Sequence, residues 1–323
     1  MENIKHRTVK VNGVNLHVAE CGEGPLILLI HGFPELWYTW RHQILGLAAL
    51  GFRAVAPDLR GYGDSDAPAA TDAYTALHVV GDLVGLLDAV AAEGEGEDKA
   101  AFVVGHDWGA LLAWYLCMLR PDRVKALVNL SVPWMPRNPD SKPLDGYRAA
   151  YGNDYYICRF QEPGEIEAQF AEMGTRRVLE GILTYRIPGP LFIVKGKGFG
   201  HQVDDPVVLP SWLTREDVDY YVDKFEKKGF TGGINYYRNF NRNWELMAPW
   251  DGTQVKVPAK FIVGELDLVY NMPGIKDFIH KGGLKKTVPL LEEVVVMEGV
   301  AHFINQERPH DITQHIYDFF SKF

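Results

Sequence analysis

The sequence predicts an α/β protein built on a mostly parallel sheet with helices on both faces, and three observations predict it. Short apolar runs recur at residues 25–30, 53–56, 100–104 and 124–130. Helical periodicity separates them at 37–50, 77–92 and 110–119, and the strand–helix pattern returns from residue 260. Strands that are apolar on both faces and alternate with helices are what a buried parallel sheet produces.

Taken in order, residues 5–20 alternate around Asn12-Gly13, a hairpin signal joining two antiparallel strands. The four apolar strands and three helices follow. From about residue 131 to 251 the alternation stops, and the chain reads as helices and loops. Pro163-Gly164 opens an acidic helix start, 187–210 is a loop with four prolines, and Thr214 with Asp217 caps a helix over 216–228. A further helix follows Thr231. Strands at 261–263 and 292–297 and a last helix over 309–320 complete the pattern, with a short acidic loop at 93–98. The expectation is a core of residues 1–133 and 250–323 interrupted by a helical insertion at 134–249. The length supports this, since single cores stop growing at roughly 250–300 residues and the chain has 323.

Composition removes several classes. A hydrophobic fraction of 47% excludes disorder, and a net charge of −9 without a basic block argues against nucleic acid or an anionic membrane as partner. No apolar run approaches the roughly 20 residues of a membrane span, and the polar Met1–Arg7 stretch lacks the core of a signal peptide. Three scattered cysteines, Cys21, Cys117 and Cys158, make neither a disulfide framework nor a zinc site. A cytoplasmic setting is the expectation.

The chemistry concentrates in Gly105-His106-Asp107-Trp108-Gly109, between an apolar strand and an apolar helix. Gly-x-x-x-Gly at such a junction frames a nucleophile elbow, usually around serine. Here the middle residue is Asp107. A carboxylate needs no base to become an anion at neutral pH, and it suits displacement at saturated carbon, giving an ester that water must then hydrolyse. A buried Gly-x-Asp-x-Gly can also be a plain helix cap, but its place at the carboxyl end of a central strand favours a site.

An acid and then a histidine should follow in chain order. Of eleven histidines, His302 stands directly after the last strand, whereas His310 and His315 fall in the final helix. Gly264-Glu265-Leu266-Asp267 follows the penultimate strand, and its loop-end position favours Asp267 over Glu265 as the acid. His31-Gly32-Phe33-Pro34 follows the strand at 25–30, where such enzymes supply one oxyanion N–H. The second comes from the residue after the nucleophile, Trp108.

With Phe160-Gln161-Glu162-Pro163-Gly164 and Asn235-Tyr236-Tyr237-Arg238, these residues resemble the soluble epoxide hydrolases of the α/β-hydrolase superfamily, closest to the plant cytosolic type, over nearly the whole chain. The resemblance implies a helical cap over the sheet, a nucleophilic Asp107 and a His302–Asp267 pair. It also implies two cap tyrosines that hold the epoxide oxygen. Neighbours on a helix point about 100° apart, so one of Tyr155/Tyr156 and one of Tyr236/Tyr237 should face the pocket, and spacing does not choose. Matching the family's motifs assigns the role to Tyr156 and Tyr237. The same match makes Glu35 an organiser of the water near the histidine, and reads Arg60–Asp66, with Asp64 and Asp66, as a structural turn rather than a metal site.

The activity so implied is opening of an apolar epoxide to a vicinal diol, with water as co-substrate and no metal or organic cofactor. The state is a monomer or homodimer, with Phe33, Trp37, Trp108 and Trp134 or Trp212 near the pocket. Two alternatives use the same scaffold: a haloalkane-type dehalogenase, which has no use for paired tyrosine acids, and a non-catalytic receptor, for which a complete set of catalytic groups is superfluous. Ser321-Lys322-Phe323 resembles a Ser-Lys-Leu peroxisomal address, but Phe replaces Leu, which leaves the peroxisome a secondary expectation.

Overall fold

A computed structural model describes residues 3–92, 99–195 and 207–323. The acidic loop at 93–98, residues 196–206 of the proline-rich loop, and residues 1–2 lie outside the described residues.

Eight strands form one sheet: β1 (Lys5–Val11), β2 (Val14–Cys21), β3 (Leu26–Ile30), β4 (Arg53–Pro57), β5 (Ala101–His106), β6 (Val124–Leu130), β7 (Ala259–Gly264) and β8 (Leu291–Met297). Their order is β1-β2-β4-β3-β5-β6-β7-β8. The β1–β2 hairpin turns through Asn12 (φ 44°) and Gly13 (φ 81°), two left-handed residues as the Asn-Gly signal requires. β1–β2 and β2–β4 pair antiparallel, and every later pair is parallel. All residues of β5 and β7 are buried, which explains why these strands read as continuous apolar runs. Each such Val, Leu or Ile side chain removed from water contributes about 1.5–3 kcal/mol.

Helices α1 (Arg41–Ala49), α2 (Ala76–Ala91) and α3 (Trp108–Leu119) connect the first strands. Residues 37–50 do not form one helix. A 3₁₀ turn at Trp37–Trp40 precedes α1, the two meeting at Trp40, whose ψ of 5° leaves the helical range, and the Trp37 N–H donates to Asp58 Oδ1 (2.9 Å), which pins the start of the turn to the neighbouring strand end. Between β6 and β7 the described residues form α4 (Pro143–Tyr151), α5 (Tyr156–Arg159), α6 (Glu165–Met173), α7 (Thr175–Leu183), α8 (Arg215–Lys228), α9 (Thr231–Arg238) and α10 (Phe240–Leu246). The Thr214 hydroxyl and the Asp217 carboxylate cap α8 reciprocally, as the sequence signature predicts. After β7 come α11 (Ile275–His280) and α12 (Gly283–Thr287), and after β8 α13 (Ile304–Glu307) and α14 (Pro309–Phe320). Helix α14 packs on α1, and α2 packs on α3. No described helix is long and apolar enough to cross a membrane.

The Arg60–Asp66 turn is structural. Arg60 makes a bidentate pair with buried Asp82 (2.6 and 2.5 Å), and its carbonyl accepts from Tyr236 Oη (2.9 Å), tying α9 to the core. Asp66 accepts from the Asn15 N–H (2.8 Å), whereas Asp64 pairs with Lys224 (2.6 Å), so the two carboxylates serve different neighbours.

Candidate active site

The carboxyl ends of β3, β5, β7 and β8 meet at Asp107. This residue sits between β5 and α3 with φ 53° and ψ −121°, a conformation a side-chain-bearing residue rarely adopts. The flanking glycines explain how the turn is possible. A Cβ on Gly105 would overlap the Gly109 carbonyl, and one on Gly109 would overlap the Ile30 carbonyl.

The oxyanion turn follows directly. The Phe33 N–H donates to Asp107 Oδ1 (2.8 Å), so one carboxylate oxygen already occupies the position an oxyanion would take. Trp108 is the first residue of α3, where backbone N–H groups lack intrahelical partners. The Phe33–Pro34 peptide is cis. His31 is buried beneath the turn. It accepts from the Leu59 N–H at Nε2 (3.0 Å), which leaves Nδ1–H to donate to the Gly32 carbonyl (2.9 Å), and it braces the loop rather than facing a ligand.

On the other side, His302 Nε2 lies 3.3 Å from Asp107 Oδ2, and Nδ1 donates to Asp267 Oδ2 (2.6 Å). Asp267 is fully buried, and its Oδ1 accepts from the Val269 and Tyr270 N–H groups. Glu265, the alternative acid, instead accepts from the Gly299 N–H (2.9 Å). Burial pulls the His302 imidazole down, but the carboxylates of Asp267 and Asp107 outweigh it and hold its pKa well above the usual value. Burial pushes Asp267 up, and the His302 charge with the two backbone donors brings it below the ordinary carboxylate range. His310 lies in α14, and His315 there contacts Lys260 (3.2 Å), so neither faces Asp107.

Tyr236 and Tyr237 divide as the angle between helix neighbours demands, whereas Tyr155 precedes α5 in extended backbone and lines a cavity beside Tyr156. Tyr156 and Tyr237 line cavities with Asp107, their ring centroids 5.7 Å apart. Tyr236 points to the Arg60 carbonyl, and the Tyr155 hydroxyl points to Met272 Sδ (3.8 Å). Burial, then the partner Tyr237 and the Asp107 charge, raise the Tyr156 hydroxyl well above its usual pKa. Burial and then Asp107 do the same for Tyr237.

Two cavities meet at Asp107, Tyr156 and Tyr237. One, of about 30 Å³, is walled by Phe160, Ile182, Leu191, Ile193, Leu268 and Phe303. The other, of about 520 Å³, is lined by Trp108, Tyr115, Trp134, Tyr147 and Phe240 among others. Of the tryptophans expected near the pocket, Trp108 and Trp134 line it. Trp37 does not, because its Nε1–H donates to Tyr220 Oη (2.8 Å) and its ring edges onto His6. Trp212 lines neither cavity.

Glu35 is not a loose loop carboxylate. It is fully buried, accepts from the Gly32 N–H (2.9 Å) and Thr39 Oγ1 (2.5 Å), and pairs with His106 Nδ1 (2.7 Å). His106 Nε2 in turn donates to the His302 carbonyl (2.8 Å), which Ser131 Oγ also reaches (3.1 Å). Asn305 Nδ2 donates to Thr39 Oγ1 (3.0 Å), so the chain Asn305–Thr39–Glu35–His106 runs from α13 back to the His302 backbone. Sequence reading misses His106 and Ser131 because nothing in spacing links either residue to a carbonyl so far along the chain. Burial raises Glu35, yet His106 and the two donors hold it at about 2, against an ordinary value of 4.5.

A folded-state pKa below the unfolded one contributes stability that is complete above pH 4.5 and fades as pH falls towards 2. Glu35→Gln should remove that dependence. The wild-type advantage in urea unfolding is expected to shrink by about 3 kcal/mol as pH falls from 5 towards 2. A difference independent of pH would contradict an ionised Glu35.

Comparison with known proteins agrees with this geometry. The family model described as alpha/beta hydrolase fold matches residues 25–170. Epoxide hydrolase 2 of Siraitia grosvenorii is 59% identical over 323 residues, covering 100% of both chains. Epoxide hydrolase A of Mycobacterium tuberculosis is 40% identical, covering 97% of this chain and 96% of its own. Among solved structures, an epoxide hydrolase from Vigna radiata superimposes with a TM-score of 0.92 at 57% identity, covering 100% of this chain and 99% of the other. A variant of the enzyme from Solanum tuberosum gives 0.95 at 60%, covering 99% and 100%. Similarity of this extent, over the whole length and carrying the same fold, places the chain in the epoxide hydrolase family of the α/β-hydrolase fold.

Proposed function

We propose that the protein opens apolar epoxides to vicinal diols through an ester formed on Asp107. One observation carries this reading: an anionic carboxylate, held at Oδ1 by the Phe33 amide, shares its cavities with two tyrosine hydroxyls and has His302 3.3 Å behind it. Asp107 attacks one oxirane carbon, the C–O bond breaks, and Tyr156 and Tyr237 stabilise and protonate the departing oxygen.

Electrostatics order the two steps. While Asp107 is an anion it helps keep His302 protonated and the tyrosines weakly acidic. Ester formation removes that charge, which strengthens the tyrosines as acids at the moment an alkoxide forms and lets the His302 imidazolium release its Nε2 proton, through solvent, to the tyrosinate left by ring opening, so that the imidazole becomes a free base. His302, oriented by Asp267, then deprotonates water, which attacks the ester carbonyl while the Phe33 and Trp108 amides hold the oxyanion; collapse breaks the acyl C–O bond, His302 returns the proton to the departing diol oxygen, and the Asp107 carboxylate is restored. Residues 134–249 act as a cap that brings the tyrosines over a core formed by 1–133 and 250–323. The aromatic lining of the larger cavity suits an apolar substrate.

Isotope transfer distinguishes this route from direct attack of water on the epoxide. In a single turnover in ¹⁸O-water with enzyme in excess, the diol should carry ordinary oxygen and the Asp107 peptide should gain the label. Label in the diol on the first turnover would overturn the ester. Halide release from a haloalkane without diol formation from any epoxide would favour the dehalogenase reading.

A further inference from the structure

Away from the cavities, the β1–β2 hairpin carries a second constellation. His6 on β1 pairs in register with Ala19, and His17 on β2 pairs with Thr8, so the two histidines are diagonal neighbours on one face of the ribbon. His6 Nδ1 and His17 Nε2 are 3.1 Å apart. Behind them, His17 Nδ1 lies 2.9 Å from Oδ2 of Asp58, a residue that is 1% exposed.

The bonding of Asp58 fixes the state of His17. Asp58 accepts from the Trp37 N–H at Oδ1 and the Asp64 N–H at Oδ2, so both of its oxygens already serve as hydrogen-bond acceptors. Facing an acceptor oxygen 2.9 Å away, His17 donates from Nδ1, which turns Nε2 outward. A carboxylate behind a histidine, orienting its other nitrogen towards an open position, is the arrangement that supports a metal-ligating imidazole.

We propose that His6 and His17 form a binding site for a divalent first-row transition ion, with Asp58 as the orienting carboxylate and water in the remaining positions. The separation fits. Two nitrogens at about 2.0–2.1 Å from one ion, at bond angles of about 90–109°, lie roughly 2.9–3.4 Å apart. The rings are within 12° of parallel, so their lone pairs must tilt to converge; His6, which is exposed and meets Trp37 edge-on, supplies that movement. On binding through Nδ1, His6 carries its remaining proton on Nε2, which faces away from the pair. Asp64 and Lys224 flank the site as a pair 2.6 Å apart, and their charges offset one another. Imidazole donors without thiolate favour copper, nickel and zinc, with Cu²⁺ the tightest. The site is separate from the reaction chemistry, although Asp58 joins it to the Trp37 amide just beyond the oxyanion turn.

Cu²⁺ titration of the full chain near pH 7.5, followed by calorimetry and electron paramagnetic resonance, tests this. The wild type should take up one ion more tightly than any other, with coupling from two nitrogens. His6→Ala should weaken that site at least tenfold and leave one coupled nitrogen, with epoxide turnover unchanged. His17→Ala should abolish it; should that variant not fold, surface His6 alone carries the test. No uptake by the wild type below about 100 µM Cu²⁺, or the same affinity and two-nitrogen spectrum in His6→Ala, would overturn the assignment.

Discussion

His302→Gln is expected to stop the enzyme halfway. The variant keeps the Asp107 carboxylate on the Phe33 amide and both tyrosines in place, so an epoxide should still alkylate it. Nothing remains to activate the hydrolytic water, and loss of a general base costs 10²–10⁴ in rate, so steady-state turnover should fall by about 10³ or more. Mass spectrometry of the treated protein should find one substrate mass added to the peptide containing Asp107. Folded variant that turns over slowly without accumulating an adduct would remove Asp107 as nucleophile. Asp267, still held by the Val269 and Tyr270 amides, keeps its loop ordered, which separates this result from simple unfolding.

The second large effect belongs to the tyrosines. Removing one donor aimed at a developing oxyanion typically costs 10²–10³. Tyr156→Phe and Tyr237→Phe should each slow single-turnover alkylation by about 10²-fold, and the double variant by about 10³ or more, with the later ester hydrolysis little changed. The adjacent residues are built-in controls. Tyr155→Phe loses only a contact to sulfur, and Tyr236→Phe loses a hydrogen bond to the Arg60 carbonyl, so alkylation should persist while Tyr236→Phe becomes less stable by about 1 kcal/mol. Fast alkylation in the Tyr156/Tyr237 double variant would overturn their role.

These residues also mark how far sequence carries. The sheet was legible because strands buried on both faces leave unmistakable apolar runs, and the elbow because two glycines must stand where backbone meets backbone. His302 and Asp267 followed from chain order at strand ends. What local pattern left open is set by long-range contacts. Periodicity joins residues 37–50, but the segment breaks at Trp40, its start tied to the Asp58 carboxylate. Trp37 looks like a pocket residue until Tyr220, from α8, takes its N–H. The choice of Tyr156 over Tyr155 rests on the family's motif alone, since local spacing cannot show that the Tyr155 hydroxyl meets Met272, far along the chain. Glu35 could be placed near the site, whereas its partnership with His106, and through it with the His302 carbonyl, needs three loops folded together.

The strand order has a consequence for the protein during its synthesis. β6 and β7 are hydrogen-bonded neighbours, yet residues 131–258 lie between them. A chain emerging from the ribosome therefore completes Asp107 and its oxyanion turn long before Asp267 and His302 exist. Through that interval β6 has an unsatisfied apolar edge that only β7 can cover, and the helices between must be made while it waits. The nascent enzyme is inert towards epoxides in its catalytic cycle but vulnerable to edge-on association. The helical insertion thus lengthens the period in which the β6 edge stays uncovered.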